Sequence, residues 1–207
     1  MILTRLRDDT RALHREIESV TGFDSPDLTL ARYVRLLARF HGIVKPLEDR
    51  LGASLADEGF FAPRRKTPWL RKDLAHFCID ADRLPVAERL PSVEGPAALG
   101  VMYVLEGSTL GGMVIARLLE QRFGLTPETG AAYLQSYGTA TGPMWQTFRA
   151  RLGAASGPAA DVAILAAAAE TFRRMIAWID APAETVDRLG AQDSEEGQPC
   201  RPTTALI

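Results

Sequence analysis

The chain is poor in the residues that build crosslinked scaffolds and metal clusters. It has two cysteines, Cys78 and Cys200, far apart in sequence. That is no disulfide framework, and it suits a reducing compartment. Its three histidines fall in no zinc spacing, and the single Asp73-x-x-His76 pair is too little for a carboxylate-bridged di-iron bundle. Net charge is only −2, which argues against a dedicated nucleic-acid binder. Basic clusters at Arg64-Arg65-Lys66 and Arg71-Lys72 remain for steering an acidic partner. No run of 18 apolar residues suggests a membrane span, and Met1-Ile-Leu-Thr-Arg-Leu-Arg-Asp-Asp lacks the apolar core of a signal peptide. The expected location is therefore the cytoplasm. No Gly-Lys-Ser/Thr phosphate loop occurs, no strand precedes a glycine-rich turn, and there is neither an internal repeat nor a Val/Ile-rich alternating segment.

What is present is helical period. Leu6, Thr10, Leu13, Ile17 and Val20 form one stripe, ended by Gly22. Asp27 or Thr29 caps a second helix, whose stripe runs from Leu30 to Leu51 with Pro46 as a late kink. Residues 52–67 read as a loop holding Phe60 and Phe61, followed by a short helix from Pro68 to Ile79 and a helix or turn over 83–91. A long helix spans about 95–123 and stops at Gly124. Thr126-Pro127-Glu128 reads as cap, first-position proline and first-turn acid of a helix over 127–137. Helices over 142–153 and 158–181 follow, then a polar, aperiodic segment read as a flexible tail. The expectation is an all-α, single-domain protein.

The long helix carries Gly107, Gly111 and Gly112 in its interior. Each costs roughly 1 kcal/mol of helix propensity against alanine. Bare backbone there serves either close helix packing or the approach of a flat or bulky ligand, and Gly107 and Gly111 lie one turn apart on one face. A second constellation lies about ninety residues earlier. His14 sits beside the first stripe, with Glu18 one turn on and Arg7 almost on the same face seven residues back. A ligand imidazole needs an acceptor on its second nitrogen to fix its tautomer, and Glu18 is within reach. Taken alone, His14 reads as an ordinary boundary histidine. Together with Glu18 and Arg7 it shifts the glycines towards ligand approach. His41 reads as structural and His76 as solvated.

These residues together resemble the haem oxygenase family, and most closely the bacterial biliverdin-forming members that supply bacteriophytochromes. Leu6-Arg7-Asp-Asp-Thr10-Arg-Ala-Leu-His14-Arg-Glu-Ile-Glu18 is similar to that family's proximal helix. Tyr103-Val-Leu-Glu-Gly107-Ser108-Thr-Leu-Gly111-Gly112 is similar to its distal helix, and Tyr137 to Arg149 to a later helix with a propionate-binding cation. The resemblance covers residues 3–182. It implies a multi-helical domain over 1–185, a tail over 186–207, and a haem sandwiched between proximal and distal helices. It implies His14 as proximal iron ligand and Glu18 as the partner of that histidine. Arg7, Tyr103 and Arg149 would hold the propionates, and Gly107, Ser108, Gly111 and Gly112 would line the distal face. Many animal members carry Asp where Ser108 stands, whereas bacterial relatives share the Ser, so the departure does not argue against activity. The implied activity is O2-dependent opening of haem b at a meso carbon, α on family grounds, to biliverdin, CO and iron. Without a flavin or nicotinamide motif, electrons come from an external ferredoxin or reductase, docked near Arg11 and Arg15, and a bacteriophytochrome would accept the bilin. A monomer is expected. The competing reading is a non-enzymatic haem carrier or sensor of the same fold, with His41 as the one candidate for a second protein ligand.

Overall fold

The structure, a computed structural model, describes residues 1–182. The tail and the domain boundary at 185 lie outside the described residues, as does Cys200. Eight α-helices in chain order are α1 (Ile2–Thr21), α2 (Leu30–Ser54), α3 (Glu58–Phe61), α4 (Thr67–His76), α5 (Ala97–Phe123), α6 (Ala132–Gln135), α7 (Thr141–Ala154) and α8 (Pro158–Ile179), with no strand among the described residues. Gly22 and Gly124 close α1 and α5 in the left-handed conformation, where lack of a Cβ removes the steric penalty. At the start of α2, Thr29 rather than Asp27 is the cap, its hydroxyl accepting the Arg32 amide at 3.2 Å.

Three sequence expectations need correction. The segment 52–67 is not a loop: α2 continues through Pro46 to Ser54, and Asp57 caps the short α3, which runs into a 3₁₀ turn at Ala62–Arg64. The helical turn expected within 83–91 lies at Ala81–Arg83 instead. No helix starts at Pro127, because residues 127–130 form turns and only Ala132–Gln135 is helical. The cause is tertiary. The buried carboxylate of Asp73 accepts the amides of Ala132 and Tyr133, both at 2.8 Å, and holds the start of α6 five residues later than local sequence favours.

α8 is the spine. Both α5 and α1 pack chiefly against it, and both also touch α7. A Cβ on Gly100 would lie 2.2 Å from the Ile164 carbonyl and 2.9 Å from the Ala167 methyl, so bare backbone and the Ala-rich face of α8 allow that approach. By length and composition alone α5 could cross a membrane. More than half of its apolar window (56%) is buried, however, which is the pattern of a core helix. Beneath it Glu106 meets the Lys66 ammonium at 2.7 Å and accepts the Tyr137 hydroxyl at 2.7 Å, with all of Glu106 and Lys66 buried. Glu48 accepts the Lys66 and Thr67 amides, joining α2 and the start of α4 to this network.

Candidate functional site

Because α1 and α5 lean on α8 rather than chiefly on each other, a cavity of about 910 Å³ opens between them. That is at the upper end of the range of roughly 300–1,000 Å³ found for cofactor and small-molecule sites. All nine residues singled out from the sequence line it: Arg7, His14, Glu18, Tyr103, Gly107, Ser108, Gly111, Gly112 and Arg149.

The α1 side carries a ligating group and cations. The His14 imidazole is more than half exposed to the cavity and has its Nδ1 3.3 Å from Glu18 Oε1, which leaves Nε2 for another partner. Phe172 of α8 meets the ring edge-on at 5.9 Å and limits its tilt. Arg7, Arg11 and Arg15 follow along the exposed rim, and Arg11 is bonded to Asp8. Burial pushes the Tyr103 hydroxyl up in pKa, while the neighbouring Thr10 hydroxyl and the Arg7 charge pull it back. The Tyr103 ring lies against Trp145, which stacks on Phe148 and carries the α7 wall towards Arg149.

The α5 side separates the two meanings of its glycines. A Cβ built on Gly107 or Gly111 meets no atom within 4 Å, so nothing in the protein needs their bareness and the space above them is the cavity. A Cβ on Gly112 would lie 2.4 Å from the Leu134 carbonyl oxygen. Gly112 therefore lines the cavity but owes its lack of a side chain to the contact with α6. Ser108 donates its hydroxyl to the Leu105 carbonyl at 2.9 Å, inside its own helix.

Several lining residues were not found from the sequence. Tyr133 and Ser136 come from the α6 segment, Phe23 and Phe40 from around α2, and Phe172 and Met175 from α8. The last four are apolar wall whose periodicity marks only a core face. Ser136, at φ 44, is a strained non-glycine residue at the cavity edge. His41 does not line the cavity: it is fully buried and neither ring nitrogen has a hydrogen-bond partner. Burial, with the charges of Arg71 and Lys45, holds its pKa below the usual value. His76 is half-buried, edge-on against Phe77, rather than solvated.

The donor set and shape fit an iron tetrapyrrole: one accessible imidazole with an anionic partner, a bare backbone opposite, aromatic and aliphatic walls, and cations at the rim. Residues 1–181 match the family model described as "Heme oxygenase". The chain is 36% identical over 93 residues to a heme oxygenase of Xanthomonas campestris pv. campestris (strain 8004), covering 44% of this chain. It spans about half the length (54%) of that curated relative. Its fold is similar to that of the NO- and CO-bound heme oxygenase from Neisseria meningitidis, with a TM-score of 0.72 at 21% identity over 97% of this chain and 99% of the other.

Proposed function

We propose that this chain, which belongs to the haem oxygenase family, is an enzyme that opens haem at a meso carbon to give biliverdin, carbon monoxide and iron. The observation that carries the reading is the pairing of His14 with the open backbone at Gly107 and Gly111 across one cavity. When bound, haem supplies the iron at which O2 is activated and the ring that is oxidised. The protein's part is placement. Nε2 of His14 would take the iron, with Glu18 fixing the Nδ1 tautomer and raising the basicity of the ring. Arg7, Tyr103 and Arg149 would hold the propionates and set the rotation of the ring. Gly107 and Gly111 would let the helix backbone press close to the reacting face without offering a strong acid, and the aromatic walls would limit bulk water.

In this reading attack falls at the α carbon, electrons come from a separate ferredoxin or reductase docking at Arg11 and Arg15, and the bilin passes to a bacteriophytochrome. The protein acts as a cytoplasmic monomer. A carrier or sensor using His41 as second ligand finds no support, since His41 is absent from the cavity wall. Mixing with haemin, reducing in air with ascorbate or a reductase, and separating the products by chromatography tests the reading. Biliverdin is the expected product, and haem left intact after excess reductant refutes it.

A further inference from the structure

Among the hydroxyls that line the cavity, those of Ser108 and Tyr133 are not equivalent. The proton of Ser108 is committed to the Leu105 carbonyl at 2.9 Å. Tyr133 is more than nine-tenths buried and its ring leans on Phe40 at 5.5 Å. Tyr133 lines the same wall, and its hydroxyl is hydrogen-bonded with the Ser108 side chain; with the Ser108 proton on Leu105, Tyr133 is the donor of that pair. Burial pushes that hydroxyl well above its ordinary pKa, so it keeps its proton at every working pH.

Tyr133 also sits in a short segment held by several long-range contacts. Asp73, fully buried, accepts the amides of Ala132 and Tyr133. The Tyr33 hydroxyl donates to the Gly130 carbonyl at 2.7 Å. Phe77 fills the place of a side chain on Gly130, where a Cβ would lie 2.7 Å from its ring, and the Leu134 carbonyl presses on Gly112. A four-residue helix has almost no stability of its own. These tethers hold Tyr133 at the cavity wall.

Resting on the haem reading above, we infer that Tyr133, and not Ser108, is the hydrogen-bond donor to a diatomic ligand held on the α5 side of the cavity, and that Asp73 is its positioning residue. Ser108 supplies only lone pairs, which accept the Tyr133 hydroxyl until a ligand takes its place.

The test takes the full chain loaded with haemin and reduced under CO, and reads the C–O stretching frequency. A donor to the ligand oxygen lowers that frequency, so Tyr133→Phe raises it, while Ser108→Ala moves it less. With O2 in place of CO, Tyr133→Phe speeds ligand dissociation by about 3- to 10-fold, the loss of one neutral hydrogen bond. Asp73→Ala raises the stretch in part and adds nothing in a Tyr133→Phe background, although it lowers the melting temperature in both. Asp73→Asn, which keeps one acceptor, gives a smaller shift in the same direction. In haem-free protein, Asp73→Ala speeds hydrogen exchange at the Ala132 and Tyr133 amides. An unmoved stretch and dissociation rate in Tyr133→Phe, or an equal effect from Ser108→Ala, overturns the donor assignment. An Asp73 shift that survives in the Tyr133→Phe background overturns its positioning role. A wild-type protein that takes up no haemin overturns the haem reading and this inference with it; uptake with a silent Tyr133→Phe overturns this inference alone.

Discussion

Adding one methyl group to neighbouring glycines of α5 has opposite consequences. At Gly111 a Cβ meets nothing within 4 Å. Gly111→Ala thus gains helix propensity at no steric cost, about 0.5–1 kcal/mol. For a domain of this size that is a rise in melting temperature of roughly 1–4 °C in the haem-free protein. At Gly112 the same methyl lies 2.4 Å from the Leu134 carbonyl oxygen, where ordinary contact begins at 3.4 Å, so α6 must shift by about 1 Å. Overpacking of that kind costs about 1–3 kcal/mol, which cancels or exceeds the propensity gain. The two variants are therefore expected to differ by about 1–3 kcal/mol in urea or thermal unfolding, Gly111→Ala being the more stable. Haem turnover reverses the emphasis: Gly111→Ala intrudes on the reacting face and loses activity despite its better fold. Equal stabilities for the two variants, or a destabilised Gly111→Ala, would refute the division of the glycines into a ligand-facing pair and a packing residue.

Three further expectations concern other parts of the molecule. His14→Ala loses the native ferric absorption spectrum with haemin, and added imidazole restores it; an unchanged spectrum removes His14 from the iron. Lys66→Ala removes the ammonium at 2.7 Å from buried Glu106 and leaves it the more distant Arg64 guanidinium, Nε at 3.8 Å, so denaturant unfolding is expected to show a loss near the low end of about 3–5 kcal/mol, whereas Lys66→Met with Glu106→Gln loses much less. His41, whose pKa burial holds below its ordinary 6.5, takes up its proton at lower pH in the fold than in the unfolded chain. It contributes nothing to pH dependence above about pH 7, and stability drops as pH falls through 6.5. Its neighbours Arg71 and Lys45 act in the same direction and Asp82 against it. His41→Phe should flatten the slope of unfolding free energy between pH 7 and 5, and an unchanged slope contradicts the assignment.

How much of this was legible in the sequence follows from which forces act locally. α1, α2, α5 and α8 were readable because their apolar stripes repeat at helical spacing and glycine or threonine marks their ends. α3 is too short to show a period, and its cap Asp57 is bound by Arg151 of the distant α7. α6 was misplaced because local chemistry favoured Pro127 as a start, while Asp73, some sixty residues earlier, decides where the amides are satisfied. The site divides in the same way. His14 and Glu18 share a helical face, so their 3.3 Å approach follows from sequence spacing. Tyr133 reaches the cavity only through tertiary tethers, and no spacing announces it. Gly107, Gly111 and Gly112 looked alike because bare backbone carries no sign of what will approach it, and only the position of Leu134 tells them apart.

The central claim is that His14 and the Gly107–Gly111 face hold haem so that its own ring is oxidised. Single-turnover spectroscopy of the haemin complex in air, with chromatography of the pigment and detection of carbon monoxide, tests it most directly. The account predicts loss of the Soret band with one biliverdin isomer and one CO per haem, abolished in His14→Ala. Haem that survives repeated reduction, or biliverdin formed equally well by His14→Ala, would contradict it.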